Sequence, residues 1–564
     1  MVKVDGDVVS REHQLLGVYV SKSVNKIATA RLLYLDGAAA SDGFPLSNAA
    51  TFVPGGEIEI LAGSTNDPVA LFQGLVVRQS LKIRDNGSPQ LVVECRHKAA
   101  KLTVGVKNAY FFDQTDGDVI SLLLDNAELD SEVDATTVTH KQLVQYDCTD
   151  WDFVVSRAEA NGMLVFSNDD ALAIKTPEVD GNSVASLQFG STVLEMDAEV
   201  DARIQHNAVK SFAWDPAQQS VLEIDAADPG ISGLGNFSSD DLASVASPDQ
   251  FVLTHCAAGE EEAQAWADAQ SLKSQMSKVN GRVKCEGIGT VNPGDIVSLS
   301  GVGERFGGDV FVSGIRHEFD LVQGWKTHIQ FGNTDRWFSR ETQISAPKAG
   351  GLLPGVNGLQ IGIVVSNEDP DGEHRVRVRM PLVDNQDEGT WARIAALDAG
   401  DERGFFVRPE VDDEVILGFI NDDPRHAVIL GMLHSSAKPA PLEGTDDNHE
   451  KVYQTRSGMR LYFDDENKVM QLSTPDGNEI TLSEQDQSIK IADQNDNVIE
   501  MTSDGIKIES GKAIELKSGT ELKMESGTSF EGKGGTELKL EGSAGAEFTS
   551  SAITKVKGSL LQLN

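Results

Sequence analysis

The stretch Gly511-Lys512-Ala513-Ile514-Glu515-Leu516-Lys517-Ser518-Gly519-Thr520-Glu521-Leu522-Lys523-Met524-Glu525-Ser526-Gly527 repeats with a period of eight. Gly511, Gly519, Gly527 and Gly535 mark its turns. Paired positions two residues apart keep the same period: Ile506/Ile508, Ile514/Leu516, Leu522/Met524, Phe530/Gly532, Leu538/Leu540 and Ala546/Phe548. Apolar residues on alternate positions, followed by glycine and polar residues, are a short strand and a tight turn. Glu515, Lys517, Glu521, Lys523, Glu537 and Lys539 face outward by the same alternation. An octad has one small apolar face and cannot bury it alone, so it must stack on copies of itself. It supplies too few inward residues for a single-chain solenoid, whose coils of about 20 residues fill their own interior. Three chains wound about one axis solve the problem, each providing one wall of a triangular prism. The expected core is Ile506, Ile508, Ile514, Leu516, Leu522, Met524, Phe530, Leu538, Leu540 and Phe548. At ~4.8 Å per octad, residues 505–564 make a rod of roughly 35 Å.

Working outward, residues 452–504 read as a less regular neck of the same fibre. Met459/Leu461/Phe463, Ile480/Leu482 and Ile489/Ile491 keep a period of two, and the turns are rich in Asp, Asn and Gly. Lys438-Pro439-Ala440-Pro441 and the polar residues after it make 438–451 a linker. Within 346–437, five short strands are predicted: Gln360 to Ser366, His374 to Met380, Trp391 to Ala395, Glu414 to Ile420 and His426 to Leu433. Five strands in about 80 residues suit a small Greek-key barrel of the OB type. Residues 1–345 are mixed. Strand-like runs include Glu57 to Leu61, Leu71 to Ile83, Leu91 to His97, Arg282 to Glu286, Asp309 to His317 and Trp325 to Phe331. One helix opens at Thr149-Asp150-Trp151-Asp152, a capping-box pattern, and another spans about Gly259 to Lys278 with Glu260, Glu261 and Glu262 at its start. The expected class is mainly β: a mixed α+β first part with barrel-like subdomains, an OB barrel and an intertwined β-helix.

The chain has 564 residues with 48 basic and 88 acidic side chains, a formal charge of −40. That field repels nucleic acid and anionic bilayers. Residues 505–564 carry equal numbers of Lys and Glu and no Asp or Arg, so the whole excess lies upstream. Cys95, Cys148, Cys256 and Cys285 lie too far apart for a C-x-x-C motif, which points to folding in a reducing cytoplasm. The N-terminus lacks a signal-peptide layout, and no apolar run approaches a membrane span.

At this point the chain resembles the VgrG family, the trimeric spikes of contractile injection systems, which are similar to the fused hub and puncturing spike of contractile phage tails. The residues that carry the resemblance are Leu71-Phe72-Gln73-Gly74-Leu75-Val76, Asp150-Trp151-Asp152-Phe153 and Ala160-Asn161-Gly162-Met163 in the first part. In the barrel they are Arg375-Val376-Arg377-Val378, Trp391-Ala392-Arg393, Pro409 to Val415 and Asp422-Asp423-Pro424-Arg425-His426-Ala427-Val428-Ile429-Leu430-Gly431. Asp412-Asp413 stands where the family usually has Gly-Asp. The resemblance implies a homotrimeric hub under a tail tube, a collar of barrels and a prism that leads through the target envelope on sheath contraction. It further implies tail-tube and baseplate partners, non-covalent effector cargo, and a conical PAAR tip protein. Leu560, Leu561, Gln562 and Leu563 are the expected platform for that tip. Assembly in the bacterial cytoplasm follows. The resemblance leaves open an extracellular particle, a type VI secretion system or a phage tail, and the lack of an effector segment favours the first.

Candidate chemistry reads as structural throughout. Asp412/Asp413 and Asp401/Glu402 pose as acid/base pairs but sit in predicted turns. His317 and His328 fall on neighbouring predicted strands without ligand spacing, and the octad region has no His, so no metal and no cofactor are expected. Gly301 to Gly308 lacks the Lys-Ser/Thr of a phosphate loop. Arg375, Arg377, Arg379 and Arg393 are flanked by Glu368, Asp369, Asp371 and Glu373, which argues against nucleic acid. The alternatives weighed are a tail-associated glycan-degrading enzyme and a receptor-binding fibre. The first needs an aromatic-lined cleft on the fibre, the second a terminal head.

Overall fold

The protein is described by a computed structural model covering residues 1–564 except 39–42, 65–66, 86, 169, 216–219, 232–234, 247–250, 257–258, 335, 341–352 and 564. It divides into two units, 1–434 and 435–564. The expected boundary between first part and barrel, at residues 345 and 346, falls outside the described residues.

The first unit is organised by a thirteen-stranded sheet. From one side, its main path runs Val193–Val200, Val279–Glu286, Gly324–Phe331, Gly308–Asp320, Leu15–Ser23, Lys26–Leu35, Gly87–Arg96 and Asp67–Arg84. Glu57–Ser64 and the short N-terminal strands follow. Two cores share one face of it. Val20, Leu32, Phe72, Leu91 and Val93 fill one, and Val283, Val312, Ile315, Ile329 and Phe331 fill the other. Each predicted strand run in this part falls inside an observed strand, except that Leu91 to His97 overruns the strand Gly87–Arg96 by one residue.

Helix Asp150–Ala160 forms as expected, with the Thr149 hydroxyl accepting from Asp152 N at 3.1 Å. The later helix spans Glu260–Met276. A third, Asp116–Asn126, is capped by a reciprocal Thr115/Asp118 box. Its opening Asp116-Gly117-Asp118 has the composition of a turn, which hides it in the sequence. Trp151, Phe153, Val154, Val119, Ile120 and Leu124 join the helices Asp116–Asn126 and Asp150–Ala160 in a further core.

Gln360–Ser366, Val376–Arg379, Thr390–Ile394, Glu414–Phe419 and Ala427–Met432 close into a five-stranded barrel, each within two residues of its predicted bounds. Its core does not end with its own strands. Val364, Val376, Val378, Val415 and Leu417 pack with Tyr110 and Val144, which belong to the first part's paired strands Lys107–Phe111 and Leu143–Cys148. Asp412 takes φ +71°, so the position where the resemblance expects glycine does adopt a left-handed turn.

The second unit begins as a seven-stranded antiparallel meander from Glu450–Gln454 to Gly505–Glu509. Its register lines up two apolar rows on one face: Phe463, Met470, Leu482, Ile489, Met501 and Ile506, and Leu461, Leu472, Ile480, Ile491, Ile499 and Ile508. The opposite face carries Tyr462, Gln471, Thr481, Lys490, Glu500 and Lys507. This alternation is that of a sheet meant to be covered on one side. Here the structure corrects the sequence reading: Gly505–Glu509 pairs antiparallel with Val498–Thr502, so Ile506 and Ile508 belong to the meander and not to the first octad.

From 511 onward the chain is extended, with bends that begin at Gly511, Gly519, Gly527 and Gly535 and continue at Ser543 and Ser551. Ile514, Leu516, Leu522, Met524, Phe530, Leu538, Leu540 and Phe548 are all exposed in the single chain, Leu516 at 61%. The serine preceding the glycine ties two of the bends. Ser518 Oγ donates to Glu521 O at 2.8 Å and Ser526 Oγ to Ser529 O at 2.6 Å. Leu560, Leu561 and Leu563 are exposed as well.

Candidate assembly site at the hub and barrel junction

Asp116 opens helix Asp116–Asn126 and is 1% exposed. Its Oδ1 accepts from Arg157 Nε at 2.6 Å, and its Oδ2 accepts from Arg157 Nη2 at 2.9 Å and Asn161 Nδ2 at 2.8 Å. His140 Nε2 lies 3.0 Å from the same oxygen. Burial by itself would raise the Asp116 pKa, but the Arg157 guanidinium and the His140 bond override it and hold the carboxyl well below the usual range.

Arg157 Nη2 in turn lies 3.7 Å from Glu262 Oε1, and that oxygen accepts from Arg425 Nη1 at 2.6 Å. Arg425, 5% exposed, closes the chain of charges on Asp423 with Nη2–Oδ2 at 2.9 Å. Burial opposes ionisation of both Glu262 and Asp423, yet the arginines win, and Asp423 is held down at about 2. For His426, burial dominates and lowers its pKa. Five segments far apart in sequence thus meet in one dry network of alternating charge. Each ion is paired and further hydrogen-bonded, the condition under which buried charges are tolerated.

Around this network the first part grips the barrel with polar bonds. Gln142 Nε2 donates to Arg425 O at 2.9 Å, and its Oε1 accepts from Trp391 N at 3.1 Å. Lys141 pairs with Asp371 at 2.7 Å. The barrel arginines are largely engaged at home. Arg375 bonds Asp369 and Asp371, Arg377 bonds Glu388, and both guanidinium groups lie over Trp391, 5.5 Å from its ring centre. The aromatic face that a single-stranded nucleic acid would need is therefore already covered.

A cleft of about 1170 Å³ opens beside the junction, bordered by Phe112, His140, Glu261, Arg375, Trp391 and His426. Asp412 and Asp413 stand away from it in a turn where Asp413 Oδ2 accepts from Glu410 N at 2.9 Å. His317 is a packing residue, with Nδ1 3.1 Å from Thr327 Oγ1 and its ring against Trp325. His317 faces Thr327 across the ladder and His328 faces Arg316, so the two histidines lie on opposite faces of the sheet. Among the described residues no group of three His, Cys, Asp or Glu side chains is placed to hold a metal, and no helix is long and apolar enough to cross a membrane.

A strand-rich body fused to a closed barrel, and followed by an amphipathic meander and a periodic tail, defines a baseplate spike. Residues 1–320 match the Alg8 N-terminal domain, 360–434 the type VI secretion system/phage-baseplate injector OB domain, and 467–528 the phage baseplate V C-terminal trimerisation domain. The first match covers more than half of the chain, which therefore belongs to the Alg8 N-terminal domain family. With the other two matches it is a VgrG-like spike. The type VI secretion system spike protein VgrG3 of Vibrio cholerae is 31% identical over 115 residues, 18% of this chain and 11% of that protein. The actin cross-linking toxin VgrG1 of the same species is 29% identical over 112 residues, 18% and 10% of the two chains. The alignment thus spans about a tenth of the length of these curated relatives. In fold, the half-lidded Francisella PdpA–VgrG complex is similar at a TM-score of 0.51 and 10% identity, over 90% of this chain and 87% of that one.

Proposed function

We propose that the chain is the homotrimeric central hub and spike of a contractile injection baseplate. Residues 1–345 form the hub beneath the tail tube, 346–437 the barrel collar, 438–451 a linker, 452–509 the neck, with the last meander strand Gly505–Glu509 included, and 510–564 an intertwined β-helix. The spike acts mechanically, passing through the target envelope when the sheath contracts. The observation that carries this reading is the pair of apolar rows on one face of the meander. Six large side chains in each row lie on a face that a single chain leaves open, and the octad pairs beyond them are barer still. Such a face is covered by copies of itself in a closed cyclic assembly. The trimerisation domain matched at 467–528 supports the same stoichiometry.

Leu560, Leu561, Gln562 and Leu563 form the platform for a PAAR-like tip protein, and tube, baseplate and effector proteins are the remaining partners. The mass of the purified protein tests the proposal. Three copies of the 60.6 kDa chain are expected in native mass spectrometry, resisting denaturant that unfolds ordinary domains. A monomer would sink it. Loss of tip-protein binding after removal of residues 559–564 tests the platform separately.

A further inference from the structure

The octads differ from one another on their outward face in an ordered way. One outward residue stands between the two inward positions of each, and along the chain these are Glu515, Lys523, Glu531, Lys539, Glu547 and Lys555. The sign changes at every step. The outward residues that follow the second inward position run Lys517, Glu525, Lys533 and Glu541, alternating in the opposite phase, before the pattern lapses at Thr549 and Lys557. Bends at 511, 519, 527, 535, 543 and 551 keep the same period, so each octad presents these positions at the same distance from its bend.

Residues two apart in a strand share a face, so the opposite phases set unlike charges side by side within an octad. Lys539 Nζ lies 2.8 Å from Glu541 Oε2, and Lys523 Nζ lies 3.0 Å from Glu521 Oε1 on its other side. These pairs stay within one octad. Among the described residues no ion pair joins consecutive octads of one chain, so a single chain makes no use of the alternation from octad to octad.

Three chains wound about one axis do use it. Threefold symmetry places the same octad of each chain at one height, one on each wall. Each chain then passes to the next wall, so above any octad lies the following octad of a different chain, parallel and ~4.8 Å away. Glu515 of one chain sits beneath Lys523 of a second, which sits beneath Glu531 of the third. Each charge inside a column is thus flanked above and below by its opposite on another chain, and unlike cross-strand neighbours stabilise where like ones repel. A chain that slips by one octad meets octads of its own sign on both sides, Glu against Glu and Lys against Lys, in both columns. The inward pairs Ile514/Leu516, Leu522/Met524 and Leu538/Leu540 are similar in volume and resist such a slip less.

We infer that the alternating Lys/Glu columns are a register code, by which each copy of this chain recognises the octad of the next copy on which it stacks. The device works by penalising the wrong alignment as much as by favouring the right one. The inference rests on the homotrimeric β-helix reading and goes beyond it by assigning the register to outward charges. In register, Leu560 to Leu563 of the three chains end at one height, whereas one slipped chain leaves that end stepped.

Two variants of the full-length chain, with core and net charge unchanged, test the code. The first combines Glu531→Lys with Lys539→Glu, which creates like neighbours at two steps of the first column. The second inverts all ten alternating charges from Glu515 to Lys555, Glu→Lys and Lys→Glu, which restores the alternation. The half-life of the trimer in urea, followed by size-exclusion chromatography, is expected to fall at least about tenfold in the first and to return to within about threefold in the second. Sodium chloride at about 1 M should remove most of the difference, because it screens exposed charges.

A Ser529→Cys/Glu537→Cys pair reads the register directly. These positions lie outside the charged columns and, in register, stand one above the other on different chains at ~4.8 Å, within disulfide reach. Cys256 is replaced by Ser, and burial holds the thiols of Cys95, Cys148 and Cys285 unreactive, with pKa values pushed up to about 12, 12 and 11. Oxidation is expected to give a covalent trimer on a non-reducing denaturing gel, and either single-cysteine variant none. A trimer whose half-life the first variant leaves unchanged, whose second variant is as short-lived as the first, or which forms no crosslink overturns the code alone. A monomer overturns both the code and the trimer.

Discussion

Arg425 of the barrel donates to Glu262 of the hub at 2.6 Å, although 163 residues separate them along the chain. Between them and their neighbours Asp423, Arg157, Asp116 and His140, two parts that read as separate domains are locked by a buried network and a shared apolar core.

Removal of Arg425 leaves buried Asp423 without its arginine and buried Glu262 with only the longer 3.7 Å contact to Arg157. Arg425→Met is expected to destabilise the first unit by about 3–5 kcal/mol, the usual cost of breaking such a pair. Because the energy belongs to the pair, Glu262→Gln combined with Arg425→Met should cost less than the sum of the two. Urea unfolding of the four proteins checks this. Additive losses would mean that the two side chains act independently.

Stability should fall in acid in two stages. Burial lowers the pKa of His317, down to about 3, and that of the partly buried His426. A depressed folded pKa contributes stability that is complete above the unfolded value of about 6.5 and is lost as pH falls below it. Asp116, Glu262 and Asp423 are depressed likewise, so their share is complete above about 4 and is lost towards about 2. The urea midpoint measured from pH 8 to pH 2 should therefore decline gently below about 6.5 and steeply below about 4. His317→Asn should flatten the first stage, and a flat profile from pH 8 to 5 for the unmodified protein would count against a buried neutral His317.

Gly74, within the Leu71 to Val76 string that supports the family resemblance, has a packing reason to be glycine. A Cβ there would stand 2.3 Å from Arg96 O and 2.9 Å from Phe72 Cζ. Backbone cannot yield as a flexible side chain does, so Gly74→Ala should cost at least about 2 kcal/mol. Gly87→Ala, whose Cβ would meet only Arg84 Cβ at 3.7 Å, should stay within about 0.5 kcal/mol of the original. Thermal unfolding of the pair gives the comparison.

How far the sequence carries can be seen from which residues speak locally. The barrel strands were legible because each is a period-two run bounded by turn residues, and the helix at Asp150 because Thr149 caps it. Asp116–Asn126 was missed because Gly117 and its flanking aspartates read as a turn until Thr136 Oγ1 and the Arg157 guanidinium are in place around them. The junction network was illegible for a different reason. Asp116, His140, Arg157, Glu262 and Arg425 are single polar letters in five segments, and nothing local distinguishes a buried arginine from a solvated one. Only the string Asp422 to Gly431 hinted at Arg425, through the resemblance and without a role. The serines before the turn glycines stood in plain sight in the octads, and the period drew attention to the glycines instead.

The meander separates the role of its two faces in a single experiment. Ile491 lies mid-row between Ile480 and Ile499 on the apolar face, and Lys490 faces Thr481 and Glu500 on the polar one. In one chain Ile491 is 42% exposed, so a carboxylate there would cost little if the chain worked alone. In a trimer that face is the dry core, and each of three copies would bury an unpaired charge at several kcal/mol apiece. Ile491→Asp is therefore expected to reduce the native mass from three chains to one while leaving the unfolding of the first unit unchanged. Lys490→Glu should leave the trimer intact. Sedimentation of both variants at equal concentration measures the difference, and a trimeric Ile491→Asp protein would mean that the apolar rows face solvent in the assembly.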